Sequence, residues 1–260
     1  MKQLSVFGLL LLPTLFLNAG TIVIDGQYQE KNIYVQNSNT SSGVGFCTYE
    51  IRVNGQVTTD EINSSAFEID LSQYKMKYGD KVSVEIRYKD GCSPKVLNPE
   101  AVKPKPTFEI VTMTLAVDGE MKWTAKGEQG KLPYIVEQFR WNKWVKVGEV
   151  DGNGTPGQHN YSFMVTLHSG ENQFRVKQMG FTGNPKASSA VKVFSPNTKL
   201  EYTLNKNSLI TITGETLYEI YDYYGAIVKK GYGKQIDVSS LVKGGYYLCY
   251  DNIVVEFKKK

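Results

Sequence analysis

Any chemistry in this chain must be built from two histidines, three cysteines and 26 carboxylates. His159 and His168 stand apart in different contexts, and no Cys-x-x-Cys pair accompanies them, so the clustered ligands of a zinc site are missing. A nucleophilic serine on a Gly-x-Ser-x-Gly turn and a phosphate-cradling P-loop are both absent. The acid pairs Asp60-Glu61 and Glu68/Asp70 fall on turns or on the polar side of alternating segments. They read as solvated carboxylates rather than as the facing pair of a glycosidase. Asp151-Gly152-Asn153-Gly154 has a single carboxylate where a calcium loop needs several, and reads as a turn. The residues therefore predict no catalytic group, no metal site and no cofactor.

What is left is aromatic. Phe139, Trp141 and Trp144 flank Asn142-Lys143 at a predicted strand turn. Arg140 and Trp141 are the candidate partner-binding residues, a cation beside an indole able to stack on a sugar or on a protein surface.

These residues need a scaffold, and the composition says which kind. Seventeen tyrosines, 24 glycines and many Val and Ile favour strands and turns, and no long stretch has a helical period. The expected fold is all-β, a tandem of small β-sandwiches. Charge is nearly balanced, 30 Lys and Arg against 26 Asp and Glu, with the basic residues scattered, which argues against a nucleic-acid partner. Lys2, the apolar run Leu4 to Leu17 and the small residues Asn18-Ala19-Gly20 have the order of a signal peptide over 1–20. That run is too short to span a bilayer, no second one follows, and the first cysteine is Cys47, so neither a transmembrane helix nor a lipidated start is expected after cleavage.

In an exported chain, three cysteines predict one bridge and one thiol. Cys47 and Cys92 fall inside one predicted domain and form the natural pair. Cys249, alternating against Tyr246, Leu248 and Tyr250, is expected to be free and half-buried.

Pro-marked breaks at Val102–Thr107 and Phe194–Thr198 divide the chain into domains over 21–103, 107–194 and 197–260. In the first, the period-2 runs Tyr49–Val53, Phe67–Leu71 and Val82–Ile86, with Asn54-Gly55 as a hairpin turn, give an immunoglobulin-like pattern. The second resembles a fibronectin type III domain. The resemblance rests on Glu120–Ala125 with its core Trp123, on Tyr134–Gln138, on Trp144–Val150 and on Phe174–Gln178. It implies that Trp144 packs inside the sandwich.

The last segment has strand, turn and strand at Glu219–Val228, then Gln235–Leu248, then a final strand and Lys258-Lys259-Lys260. This order resembles the type A C-terminal sorting domain of Bacteroidota type IX secretion cargo. In that family a Tyr-Asp-x-x-Gly turn, an Ile-Asp-Val-Ser-x-Leu…Lys-Gly-x-Tyr block and a basic end recur at this spacing. The matching residues are Tyr221, Asp222, Gly225, Asp237, Leu241, Lys243, Gly244, Tyr246, Lys258, Lys259 and Lys260. The resemblance implies an exported, non-catalytic surface or secreted protein, with the type IX translocon and an outer-membrane shuttle protein as partners. A surface polysaccharide or protein would be the ligand of the modules before it. Two other readings stay open: a resident accessory subunit of a secretion or gliding assembly, and a polysaccharide-acting enzyme.

Overall fold

In a computed structural model of the chain, residues 20–181, 183–206 and 208–260 are described. The signal-peptide run lies outside them, apart from Gly20. The chain divides into two compact units, Met1–Lys103 and Pro104–Lys260. Among the described residues no helix is long and apolar enough to cross a membrane.

The first unit contains β1 (Gly20–Gln27), β2 (Ile33–Gln36), β3 (Thr48–Val53), β4 (Gln56–Val57), β5 (Ala66–Ile69), β6 (Lys81–Tyr88) and β7 (Lys95–Val96). One sheet runs β1-β6-β3-β4 and the other β5-β2-β7. Alternation builds the core between them. Ile24, Ile33, Val35, Ile51, Ile69, Val84 and Ile86 point inward, while Tyr34, Tyr49 and Glu68 point out. Asn54 (φ 50°) and Gly55 (φ 82°) both take the left-handed conformation that a two-residue β3–β4 turn demands. Cys47 and Cys92 are joined, tying the start of β3 to the loop that leaves its neighbour β6.

The second unit begins with β8 (Glu109–Leu115), β9 (Glu120–Lys126), β10 (Tyr134–Arg140), β11 (Lys143–Val150), β12 (His159–Met164), β13 (Gly170–Met179), β14 (Pro185–Ala187) and β15 (Val191–Ser195). A three-stranded sheet, β12-β9-β8, faces a second sheet of order β11-β10-β13-β14, with β15 also on β13. Trp123 is buried at its centre, edge-on to Tyr134 and stacked on Tyr161. Glu128, also buried, accepts hydrogen bonds from both tyrosine hydroxyls and from the Gly154 N–H. Burial and this carboxylate push both phenol pKa values up. The Asp151–Gly154 turn is thus clamped to the core by an acid.

The unit continues with β16 (Tyr202–Asn205), β17 (Leu209–Asp222), β18 (Ile227–Asp237), β19 (Gly244–Tyr250) and β20 (Ile253–Lys259). All five belong to one hydrogen-bonded sheet, β16-β17-β19-β20, with β18 on β17. The β17–β18 ladder breaks between Thr211 and Thr216, and the two long strands carry the sheet around Ile210, Ile220, Ile236, Leu248 and Phe257.

Candidate functional site

The β10–β11 hairpin turns on Trp141 and Asn142, with φ of 51° and 60°. Asn accepts that conformation; for tryptophan it is a steric outlier that costs about 1–3 kcal/mol. Two cations lie near the ring, the Arg140 guanidinium and the Lys143 ammonium each 6.0 Å from its centroid. Trp141 is half-buried at the tip, and asparagine would take this backbone without the strain. Trp141→Asn is therefore expected to leave stability unchanged or to raise it by about 1 kcal/mol. A urea titration checks this, and a loss above about 1 kcal/mol would show instead that the ring is needed for packing.

Arg140 corrects the sequence reading. It is 2% exposed and not part of an open platform. Its Nε donates to Gln138 Oε1 at 2.6 Å and its Nη1 donates to the Asp251 carbonyl at 3.0 Å. Gln138 in turn donates to Asn172 Oδ1 at 2.8 Å, and Asn172 accepts the His168 N–H at 3.0 Å. Asp251, at the β19–β20 turn, accepts Ser169 N–H at 3.0 Å and Ser169 Oγ at 2.5 Å. These side chains span β10, β13 and the last turn of the chain, so the fibronectin-like sandwich and the C-terminal sheet share one buried polar network. Burial lowers the Arg140 pKa to about 10, against the opposing pull of Asp251, so it is charged at neutral pH.

A second contact lies beside it. Lys143 Nζ donates to Glu219 Oε2 and to the Tyr221 hydroxyl, both at 2.5 Å. Burial works to lower its pKa, but the hydrogen bonds to Glu219 and Tyr221 outweigh it and hold the ammonium above its ordinary value. Glu219 is the register partner of Cys249. The face that alternation left to solvent is thus covered, and Cys249 is buried rather than half-buried, its thiol pushed up to about 11 by that burial.

Trp144 is a further correction. Counting by twos from core-packed Val150 puts Trp144 inside, but the register shifts between Val136 and Glu137 and reverses the facing. Trp144 pairs with Phe139 on the outer side, and the Arg175 guanidinium lies 4.2 Å from its centroid.

The residues of the C-terminal blocks are distributed as follows. Asp222 Oδ1 accepts the N–H groups of Tyr224 and Ala226, both at 2.9 Å, and Gly225 (φ 84°) closes the turn. Tyr223 and Tyr224 project from it into solvent. Asp237 accepts Ser239 N–H at 2.8 Å. Leu241 packs on the core and Tyr246 stacks on Phe257 within it. Lys243, Lys258 and Lys260 are exposed and Gly244 opens β19. Lys259 departs from the expected free basic tail. It shares the inward face with Phe257, and its Nζ donates to the Val238 carbonyl at 2.7 Å, so it is a buried strut.

No protein-family model and no curated protein sequence matches this chain. Solved structures similar to it include the tetra-tandem repeat in the extending region of a large adhesion protein, at 12% identity and TM-score 0.27, covering 93% of this chain and 75% of that one. The FN1–FN3 domains of chicken CNTN1 are 12% identical at TM-score 0.24, covering 94% and 95%. A β-glucuronidase of Lactobacillus rhamnosus is 13% identical at TM-score 0.22; the likeness covers 78% of this chain and 39% of the enzyme. Likenesses of this size leave the site to be argued from its own residues.

Among the described residues no three His, Cys, Asp or Glu side chains gather to hold a metal ion. The structure gives contacts of consequence to four residues that were not candidate site residues in the sequence: Lys143, Glu219, His168 and Asp251. Only Asp251-Asn252 had a local signal, as a turn between two strands. Lys143 and Glu219 acquire meaning through each other across 76 positions, and His168 through its burial beside Arg140 and Asp251.

His168 carries a pH prediction. Its Nδ1 meets the Ser169 carbonyl at 2.7 Å and its Nε2 is buried without a partner. It lines a cavity with Arg140, Glu215 and Asp251. Burial first, and Arg140 with it, lowers its pKa from the ordinary 6.5, although the Ser169 carbonyl and Asp251 pull the other way. Below pH 6.5 the unfolded chain therefore binds a proton that the folded chain refuses, and stability falls as pH falls. The slope is at most about 1.4 kcal/mol per pH unit. Glu50, Asp70 and Asp237, lowered by hydrogen bonds from Arg52, Ser72 and Ser239, act in a more acid window, below the ordinary carboxylate range. Urea midpoints at pH 7.0 and 5.5 should differ in the wild type and converge in His168→Gln. An equal slope in both would rule His168 out.

Proposed function

We propose that this chain is an exported, non-catalytic surface or secreted protein. Its β-sandwich modules bind a surface polysaccharide or protein, and its C-terminal module is read by the type IX translocon and an outer-membrane shuttle protein. The observation that supports this reading best is how the ordered blocks are used. Asp222 and Gly225 build one turn, Asp237 caps the next, and the exposed remainder is the Tyr223-Tyr224 tip with Lys243, Lys258 and Lys260. A recognition surface should be of this kind, with structural residues holding it and exposed cations offered to a partner. The Cys47–Cys92 bridge fits an oxidising destination.

The test spares the buried strut. Lys243→Ala, Lys258→Ala and Lys260→Ala together should leave the fold intact and hold the protein in the periplasm, as read by surface proteolysis and fractionation. Undiminished surface delivery would contradict the sorting role.

A second reading is favoured by a specific observation. The buried Arg140–Asp251 contact welds the C-terminal module to its neighbour. A module built so firmly into its unit suits a resident accessory subunit of an envelope assembly, which keeps its C terminus.

A further inference from the structure

A groove of about 520 Å³ runs along the seam of the second unit. Trp141, Lys143, Trp144 and Lys146 line one side, and Glu219 and Lys230 the other. We infer that this groove binds an acidic saccharide, a chain of uronic-acid type; the inference rests on the surface-binding reading above and names its ligand class.

Three features carry it. The first is charge. Three lysines meet one carboxylate, and Glu219 is already engaged by Lys143 and the Tyr221 hydroxyl. Lys146 is balanced by Glu149, and the surplus charge is that of Lys230, which lies across the ladder from Glu219 and forms no ion pair among the described residues. The groove is thus left cationic. The second is the aromatic surface. The Trp141 indole N–H is buried, so the part of the ring that reaches solvent is hydrocarbon, suited to the C–H face of a sugar. The third is the strained turn, which fixes that ring at the mouth rather than letting it fold into the core. An acidic peptide would satisfy the lysines but has no requirement for a rigid indole face.

The chain from residue 20 to 260 is titrated calorimetrically with oligogalacturonate, neutral dextran and poly-glutamate. Saturable binding to oligogalacturonate, weakened by salt, is expected. Trp141→Asn, which suits the left-handed backbone, and Lys230→Gln, which sets no like charge against Glu219 across the ladder, should each weaken it by about tenfold, the size of one aromatic or cationic contact, with thermal midpoints no lower than that of the wild type. Equal affinity for poly-glutamate, binding indifferent to Trp141→Asn, or no binding to oligogalacturonate would overturn the inference. If the chain still adheres to cell surfaces through another ligand after Trp141→Asn, the surface-binding reading stands and only the groove assignment falls.

Discussion

Arg140→Ala is expected to destabilise the unit of residues 104–260 by about 3–5 kcal/mol and to open Cys249 to thiol reagents. The guanidinium is buried beside Asp251 and donates to two acceptors, Gln138 Oε1 and the Asp251 carbonyl. Truncation leaves both acceptors, and the Asp251 charge, without their cation in a largely buried site, and it opens a void the size of the lost side chain. Nothing local compensates, because Gln138 and Asn172 already spend their amide groups on each other and on backbone carbonyls. Cys249 reports the consequence. It is covered where Lys143 grips Glu219, and with its pKa raised to about 11 it is inert in the folded chain. Labelling by a disulfide reagent should be slow in the wild type and fast in Arg140→Ala at denaturant concentrations that leave the three sheets of the unit folded by circular dichroism. Slow labelling in both would mean that the two parts of the unit hold together without the buried cation.

Removing the disulfide comes next in size. Cys47 and Cys92 enclose a loop of 45 residues. Freeing a loop of that length is expected to cost about 4 kcal/mol on the chain-entropy account. The effect can be read separately, because Trp123, Trp141 and Trp144, the chain's three tryptophans, all lie in the second unit. Cys47→Ala with Cys92→Ala should therefore lower the transition seen by circular dichroism for the first unit. The transition seen by tryptophan emission should move far less. Equal shifts in both signals would mean that the units unfold as one.

The strands were largely legible, and for a local reason. Period-2 alternation with Asn-Gly and Asp-x-x-Gly turns marks β3, β5, β6 and the β17–β18 hairpin without any knowledge of neighbours. The half-cystines Cys47 and Cys92 could be paired for the same reason, since each borders a strand of one domain. What the fibronectin resemblance could not supply was facing after a bulge: it implied Trp144 inside, and the unpaired Val147 that turns the strand over leaves no mark in composition. Nor could alternation foresee a face covered by another part of the chain. Arg140 and Cys249 both looked half-open for that reason, and each is buried by residues about 110 positions distant. Lys259 failed differently: a terminal lysine run suggests a solvated tail, yet the strand continues through it and one residue in two must point inward. The groove at Trp141 was half visible. The aromatic and its cation were adjacent in sequence, whereas Glu219 and Lys230 on the opposite wall were not.

Whether the C-terminal module directs the chain to the cell exterior, as proposed, is decided by mass spectrometry of both termini in surface, medium and periplasmic fractions. The expected result is a chain that begins near Gly20, recovered outside the cell, and ending either near Ser195 or, where the docked module is retained, at Lys260. A full-length chain confined to the periplasm, with none at the surface or in the medium, would contradict it.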